Sequence, residues 1–276
     1  MPAPPPETES FRAAVARLVG APGRIEALPS GTTGPSYRVE TASGRYVVKR
    51  FVPGSGALLG PAEQFELLGV LADADIAPRP VAFDRDERLL VTEFLDGAAP
   101  LSSGSLRRSE TIEAVARCLQ GLHAVPFELP RFAPAVYAER YVAAAGGLRS
   151  LSARDHERYD ELRELARSLD PHPAVLCHND LLAGNLLAGD GIKLIDFDYA
   201  VAAPPVVDLA SLAVMNRFSA SELTALGRAY FGRRAPSMPP EFAGVQRLVR
   251  LLAHFWALAS RDAGAAIVAQ YRIDDD

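Results

Sequence analysis

The spacing of apolar residues changes between Asp96 and Gly97, and this change constrains the fold more than any other feature of the 276-residue chain. Before it, short apolar runs alternate with segments rich in glycine, serine and threonine, a pattern typical of short strands joined by turns. After it, most segments carry apolar residues at the three- and four-residue spacing of helices. We therefore expect an α+β fold with two lobes: a small antiparallel-sheet N-lobe with one inserted helix, and a larger, mainly helical C-lobe.

The predicted elements follow this division. In the N-lobe, the sequence predicts helices at residues 11–19 and 61–74 and strands at 24–28, 36–40, 45–51, 81–83 and 88–94. In the C-lobe, it predicts strands at 174–177, 185–188 and 192–196 and helices at 106–123, 135–148, 153–169, 205–215, 221–230 and 240–268. The proline-rich start predicts a disordered arm, so we expect the arm at residues 1–10, the N-lobe at 11–96 and the C-lobe at 97–276.

Charge and hydropathy exclude several classes of function. The formal net charge of −5 argues against a nucleic-acid binder, whose affinity rests on neutralising phosphates, and leaves room for a cationic small molecule. No uninterrupted apolar run is long enough for a membrane span, and the start lacks the basic and apolar regions of a signal peptide. Two cysteines, Cys118 and Cys177, imply no disulfide framework. We expect a soluble, cytoplasmic protein.

The stretch CHNDLLAGNLLAGDGIKLIDFDYA, residues 177–200, places polar side chains at the ends of two short apolar strands. The turn Gly189-Asp190-Gly191 predicts a hairpin, which would bring Asn185 and Asp196 to the same end of a two-stranded ribbon. Asp180 precedes Asn185 in the loop that enters the ribbon. Carboxylate and amide oxygens suit Mg²⁺, and a further carboxylate can accept a proton from an attacking hydroxyl.

A simpler explanation exists for each of these residues alone, since aspartate and asparagine favour turns for local reasons. The three together, with a hairpin between them, favour a functional site over three separate turn residues. His178 is interpreted as a loop-bracing residue, because Asp180 is the better-placed base.

The motifs HNDLLAGN and LIDFDYA resemble the catalytic and metal-binding segments of the choline kinase, thiamine kinase and aminoglycoside phosphotransferase superfamily, which has the protein-kinase-like fold. HND is closer to the choline, ethanolamine and thiamine kinase branch. The resemblance extends over about residues 22 to 270 and implies that Asp180 is the catalytic base. It also implies that Asn185 and Asp196 hold Mg²⁺, that Asp198 lies near metal or substrate, and that Asp208 braces the catalytic loop.

The same resemblance implies an ATP site in the N-lobe. Lys49 would pair with the α and β phosphates of the nucleotide. Glu63 and Glu66, three residues apart on one helical face, could each form an ion pair with Lys49; the sequence leaves the choice open, and we favour Glu66. The remaining nucleotide contacts are expected from the turn at residues 30–36 and from the backbone of the hinge, specifically at Ser30, Thr32, Thr33, Ser36, Glu93 and Leu95. As alternatives, Lys49 is a solvent-exposed residue, the turn is an ordinary hairpin loop and the hinge is an ordinary strand.

The expected function is an ATP- and Mg²⁺-dependent kinase that moves the γ-phosphoryl group to a hydroxyl of a small, cationic acceptor of the choline, ethanolamine or thiamine type. Trp256 in RLLAHFWALA resembles the aromatic wall of choline kinase, and beside Asp198 it would attract an ammonium group. Alternatively, Trp256 is a core residue. Ala259 stands where choline kinase has a second tryptophan.

Other functions stay open at this point. The acceptor could be an aminoglycoside or another small molecule, or the chain could be a nucleotide-binding pseudokinase module or a metal-dependent hydrolase. The pseudokinase is disfavoured because the base, the metal ligands and the lysine are all present.

Overall fold

The structure is a computed structural model of the chain and describes residues 9–29, 34–53, 56–169, 173–232, 238–260, 271 and 273. The chain packs as two compact units. Unit 1 comprises Met1–Ser105, Cys118–Phe127 and Ala183–Ala200, and unit 2 comprises Leu106–Arg117, Glu128–Leu182 and Val201–Asp276. These units are defined by packing within the chain, so the arm and lobe boundaries expected from the sequence stay predictions.

Unit 1 contains a five-stranded antiparallel sheet. Helix α1 (Glu9–Val19) precedes strands β1 (Pro22–Ala27), β2 (Ser36–Thr41) and β3 (Gly44–Arg50); helix α2 (Pro61–Asp73) then leads to β4 (Pro80–Asp84) and β5 (Leu89–Glu93). The strand order is β1-β2-β3-β5-β4. Alternate strand residues point to opposite faces of a sheet. The apolar strand residues that face α1 form a buried core with Phe11 and Val15 of that helix; they include Tyr37, Val39, Val48, Leu89 and Val91.

Unit 1 also contains a smaller sheet built on a tight hairpin. Strands β8 (Leu186–Gly189) and β9 (Gly191–Leu194) pair in register, with Gly189 opposite Gly191, and β6 (Ala99–Pro100) pairs with β8. Gly191 has a φ of 144°, a conformation that glycine adopts without strain. The hairpin predicted at Gly189-Asp190-Gly191 is therefore confirmed.

Unit 2 is mainly helical. Its helices are α5 (Pro134–Ala144), α6 (Ala153–Ser168), α7 (Val206–Met215), α8 (Ala220–Phe231) and α9 (Phe242–Ala259), and α9 packs against α5, α6 and α7. Strands β7 (Val175–Cys177) and β10 (Val201–Ala203) form an antiparallel pair. In sequence, α3 (Ser103–Leu106) and α4 (Ser109–Ala124) run across the unit boundaries. The α+β class is confirmed.

Three predicted helices differ from the structure. The helix expected at 135–148 ends at Ala144. The helix expected at 106–123 is instead α3 followed by α4, and between them Arg107 donates hydrogen bonds to the carbonyl groups of Asn216 and Arg217. The helix expected at 240–268 is described as far as Ala259, and residues 261–270 lie outside the described part of the chain, as do residues 1–8 of the predicted arm. Among the described residues, no helix combines the length and apolar character needed to cross a membrane.

Candidate active site

Lys49 is the centre of a polar cluster in unit 1. Its neighbour on β3, Val48, faces the α1 core, so strand alternation turns Lys49 to the opposite face of the sheet. There its ammonium group donates to the carboxylates of Asp196 and Asp198, at 2.5 Å to Asp198 Oδ1. Gln64 Nε2 of α2 donates to the same Asp198 oxygen at 2.6 Å. The Lys49 side chain is 12% exposed and that of Asp198 is 1% exposed.

Lys49 stays protonated in this cluster. Burial acts to lower the pKa of Lys49, but the charges of Asp196 and Asp198 and the hydrogen bonds that Lys49 donates to them outweigh it and raise this pKa. The ammonium group of Lys49 therefore faces two carboxylate side chains.

Asn185 and Asp196 lie at the open end of the β8–β9 hairpin, as predicted. Leu186 pairs with Leu194, and one step further the N–H of Ile195 donates to the carbonyl oxygen of Asn185 at 3.0 Å. Asp196 follows with a φ of 70°, in the left-handed region. A non-glycine residue there is disfavoured by roughly 1–3 kcal/mol, and such residues cluster at functional sites. One carboxylate and one amide oxygen are hard ligands that fit Mg²⁺.

Asp198 follows in the short 3₁₀ turn Phe197–Tyr199, and its main chain is held as well as its side chain. Its carbonyl oxygen accepts hydrogen bonds from the N–H groups of Leu58 and Leu59, at 2.7 and 3.3 Å. A carboxylate this buried and engaged by Lys49 and Gln64 belongs to the lysine cluster. A position of Asp198 near metal or acceptor stays a prediction.

The acidic residues of α2 are not partners of Lys49 in the part of the chain that the structure describes. Glu63 and Glu66 are both exposed, so the prediction that Glu66 pairs with Lys49 is wrong. The physical reason is the face of α2 that packs inward, which carries Gln64, Leu67, Leu68 and Leu71. Sequence reasoning missed Gln64, although a polar residue at the spacing of the buried leucines was a visible signal.

The predicted phosphate-covering turn is only partly described. Ser30, Thr32 and Thr33 lie outside the described residues, whereas Ser36 begins β2 and pairs in register with Lys49. A Cβ on Gly34 would lie 2.0 Å from the carbonyl oxygen of Arg50, so only glycine fits there. The carbonyl oxygen of Pro35 accepts the N–H of Arg50 at 2.9 Å. The end of the turn is thus held by Arg50, the residue that follows Lys49.

The predicted hinge residues lie where β5 ends. The N–H of Glu93 donates to the carbonyl oxygen of Arg79 at 2.9 Å, and Glu93 Oε1 accepts the N–H of Arg79 at 2.8 Å. The carbonyl oxygen of Leu95 accepts the N–H of Ala98 at 3.3 Å. Adenine contacts at Glu93 and Leu95 stay predictions, and the structure shows that the Glu93 N–H is already used.

In unit 2, a buried carboxylate holds the loop that carries Asp180. Asp208 of α7 accepts the N–H of His178 at 2.9 Å and the N–H of Asn179 at 2.7 Å. Asn179 has a φ of 63°, again in the left-handed region. His178 Nδ1 accepts the N–H of Asp180 at 3.2 Å. Asp208 and His178 therefore brace the loop, as expected for both.

Two further residues of the α7 region hold the same loop. Ser211 Oγ accepts the N–H of Leu181 at 3.3 Å, and Asn216 Nδ2 donates to the carbonyl oxygen of Leu181 at 2.8 Å. Sequence reasoning missed both, although Ser211 interrupts the apolar run of α7 and Asn216 directly follows that run. The main chain on both sides of Asp180 is thus fixed by side chains from one helix and its C-terminal cap.

Aromatic residues of unit 2 lie within range of the Asp180 charge. Burial, then Tyr137 and the negative charge of Asp180, raise the pKa of Tyr141 to about 12. Burial and then Asp180 likewise raise the pKa of Tyr271 to about 12. Trp256 is half-buried on α9, and its ring meets that of Tyr271 edge-on at a centroid distance of 5.7 Å. Trp256 therefore packs against Tyr271, whose pKa responds to the charge of Asp180.

Comparison with known proteins identifies the relatives of this arrangement. Residues 24–243 match the model of the phosphotransferase enzyme family, APH. A thiamine kinase from Shigella boydii is 27% identical over 190 residues, which cover 68% of this chain and 65% of that protein. The chain thus matches just under two thirds of the length of these curated relatives. The resemblance to the choline, ethanolamine and thiamine kinase branch is confirmed.

Solved structures with other acceptors have the same fold. Choline kinase LicA from Streptococcus pneumoniae superposes with a TM-score of 0.81 at 22% identity, covering 95% of both chains. A spectinomycin phosphotransferase in complex with ADP and spectinomycin gives a TM-score of 0.67 at 15% identity, covering 97% of this chain and 90% of that one. At these identities the likeness shows the fold, and the predicted protein-kinase-like fold is confirmed.

Proposed function

The chain belongs to the phosphotransferase enzyme family, and from that premise we propose that it transfers the γ-phosphoryl group of MgATP to a hydroxyl of a small cationic molecule of the thiamine, choline or ethanolamine type. The observation that carries the proposal is the pairing of Lys49 with Asp196, a strand lysine and the carboxylate that follows the β8–β9 hairpin. Thiamine kinases and a choline kinase among its relatives support the acceptor class. The ADP complex of a related phosphotransferase supports ATP as the donor.

The residues of unit 1 fit the binding of nucleotide phosphates. Lys49 stays protonated, so it supplies a fixed positive charge for the α and β phosphates. Asp196 and Asn185 supply carboxylate and amide oxygens that would hold Mg²⁺. The metal, when bound, would neutralise charge on the phosphates during transfer. Gln64 and Lys49 keep Asp198 in place, and Asp198 in turn orients the ammonium group of Lys49.

The residues of unit 2 fit the handling of the acceptor hydroxyl. Asp180 would accept the hydroxyl proton while the phosphoryl group is transferred. Its loop is fixed by Asp208, Ser211 and Asn216, which limits the motion of the base and favours a reactive geometry. Only four residues lie between Asp180 and Asn185 in the sequence, so the proposed base and metal ligand belong to one short segment.

A cationic acceptor is supported by the carboxylate of Asp180 and by aromatic residues of unit 2. The carboxylate would attract a positive charge directly, and each ring of Tyr141, Tyr271 or Trp256 that faces the acceptor would add cation–π attraction of roughly 0.5–2 kcal/mol. The raised pKa values of the two tyrosines keep them neutral, so they add no repulsion between anions at the proposed site.

The test is ATP consumption by the purified chain with Mg²⁺ and a panel of acceptors: thiamine, choline, ethanolamine, homoserine and aminoglycosides. We expect turnover that depends on a cationic alcohol and is lost in Asp180→Asn. A neutral sugar or nucleoside as best acceptor would contradict the cationic site. MgATP binding without transfer to any acceptor would instead indicate a pseudokinase, and ATP hydrolysis independent of acceptor would indicate a hydrolase.

A further inference from the structure

A buried histidine connects α9 to the last described residues of the chain. His254 is 1% exposed, and both of its ring nitrogens have a hydrogen-bond partner. Its Nε2 lies 2.7 Å from Asp155 Oδ1 of α6. Its Nδ1 accepts the N–H of Ile273 at 3.0 Å. Because Nδ1 accepts a hydrogen bond, it carries no proton, and the Nε2–H donates to Asp155.

Other hydrogen bonds hold the Asp155 carboxylate in place, so it can fix the orientation of the His254 ring. Ser152 Oγ and Arg158 Nη1 also donate to its carboxylate, at 2.8 and 3.0 Å. Burial acts to raise the pKa of Asp155, but the hydrogen bonds from His254, Ser152 and Arg158 outweigh it and lower the pKa. A charged acceptor on the Nε2 side therefore fixes the tautomer and leaves Nδ1 to accept the N–H of Ile273.

Tyr271 lies two residues before Ile273 in the sequence. The Tyr271 ring packs edge-on against Trp256, which is two residues after His254 on α9. The pKa of Tyr271 also responds to the charge of Asp180. The hydrogen bond at Ile273 and the ring contact with Trp256 thus hold Tyr271 on two sides, within range of the Asp180 charge.

We propose that His254 is a positioning residue for the acceptor site: the hydrogen bond from the Ile273 N–H to its Nδ1 holds Tyr271 against Trp256 and within range of the Asp180 charge. The proposal rests on the proposed function for its kinetic consequence, but the packing consequence stands on its own. Loss of this bond raises the Michaelis constant for the acceptor roughly 2- to 10-fold, the range for one neutral hydrogen bond. The Michaelis constant for ATP stays unchanged, because unit 1 is untouched.

Two substitutions of His254 separate its two hydrogen bonds. His254→Asn places an amide oxygen where Nδ1 lies and keeps an acceptor for Ile273, whereas it loses the donor to Asp155. His254→Gln places an amide nitrogen near the position of Nε2 and keeps that donor, whereas it loses the acceptor for Ile273. His156→Gln, at an exposed position of α6, is the matched control.

A second pair of variants, at Ile273, tests the same hydrogen bond between the Ile273 N–H and His254 Nδ1. Ile273→Pro removes the N–H without changing His254, and Ile273→Val keeps it. This pair keeps the proposal testable even if a His254 variant does not fold, because it leaves the buried pair with Asp155 intact.

The first readout is the fluorescence of Trp256, the single tryptophan of the chain, measured without any substrate. We expect His254→Gln and Ile273→Pro to change its emission maximum or intensity, while His254→Asn, Ile273→Val and His156→Gln match the wild type. The second readout is the acceptor Michaelis constant, which should rise in the same two variants only.

Equal emission in His254→Gln and wild type would overturn the proposal, as would equal changes in both His254 variants, which would show a packing role alone. If the fluorescence pattern is as expected while the wild type phosphorylates no acceptor, the proposed function fails and the positioning of Tyr271 by His254 still stands.

Discussion

The two units hold their functional residues by different means. In unit 1, side-chain charges hold one another, since Lys49 lies between Asp196 and Asp198. In unit 2, the main chain around Asp180 is held by uncharged and charged side chains of one helix, with Asp208 the chief acceptor. When a charged ligand binds to the Lys49 cluster, its charges replace some of the ion pairs between the side chains. The proposed base, Asp180, instead needs a fixed position. The difference predicts that substitutions in unit 1 change nucleotide binding, and that those in the unit 2 loop change turnover or stability.

The largest effect is expected from Asp196→Ala. This variant removes the carboxylate proposed to bind Mg²⁺ and also one of the two ion-pair partners of Lys49. We expect the metal-dependent part of ATP binding to disappear. Calorimetric titration with ATP in the presence of Mg²⁺ and then of a chelator measures that part directly.

Asp190→Ala is the control for this variant, because Asp190 is exposed in the turn at the other end of the same hairpin. It should bind MgATP like the wild type. Unchanged affinity and metal dependence in Asp196→Ala would remove Asp196 from the metal site and would break the contrast between the two units.

The next largest effect is expected from Asp180→Asn. Removal of a positioned base lowers turnover by roughly 10²- to 10⁴-fold. Because the loop is held through its main chain by Asp208 and Ser211, the midpoint of urea unfolding should stay at the wild-type value, and MgATP should bind normally. Steady-state turnover and urea unfolding of the same preparation test both halves.

Asp160→Asn, at an exposed position of α6, is the matched control and should leave both quantities unchanged. Phosphorylation of the acceptor at the normal rate by Asp180→Asn would show that another group accepts the proton.

Asp208→Asn, in contrast to Asp180→Asn, should lower the stability of the protein. Each Asp208 oxygen accepts one main-chain N–H, so the variant keeps one acceptor and turns an NH₂ group towards the other N–H. Leaving a buried donor without its acceptor costs about 1–3 kcal/mol. We expect a lower urea midpoint together with reduced turnover. A wild-type midpoint would mean that the loop does not depend on this brace.

The features of the site that are determined by short stretches of sequence could be predicted from the sequence. The turn Gly189-Asp190-Gly191 between two apolar runs specifies a hairpin without help from the rest of the chain, so the common end of Asn185 and Asp196 followed from it. The α+β class followed from the change of apolar spacing, which is likewise a local property.

The parts that depend on distant packing could not be predicted in the same way. Which residue of α2 reaches the Lys49 cluster depends on the face that packs inward, and Gln64 rather than Glu66 lies on that face. Strand β6 has two residues, and it exists only because β8 offers it a partner. Ser211 and His254 share one visible signal, a polar residue inside an apolar helical run, but that signal alone does not identify what either residue contacts.

The smallest effect is expected from Trp256→Ala. A single ring contributes roughly 0.5–2 kcal/mol to the binding of a cation, so the Michaelis constant of the best cationic acceptor should rise about 2- to 30-fold while that of ATP stays unchanged. Trp256→Phe keeps an aromatic face and should lose less.

This last measurement also distinguishes the candidate acceptors. Ala259 offers no second indole near Trp256 on α9, so the aromatic wall is smaller than a full cage for a quaternary ammonium group. A flat thiazolium or a primary amine needs fewer rings around it, because one face or the Asp180 carboxylate suffices for attraction. We therefore expect thiamine or ethanolamine to lose affinity in Trp256→Ala and choline to be the weaker substrate of the wild type. An effect of Trp256→Ala on ATP alone, or none on any cationic acceptor, would make Trp256 a core residue and leave unit 2 with the base but without the cation site.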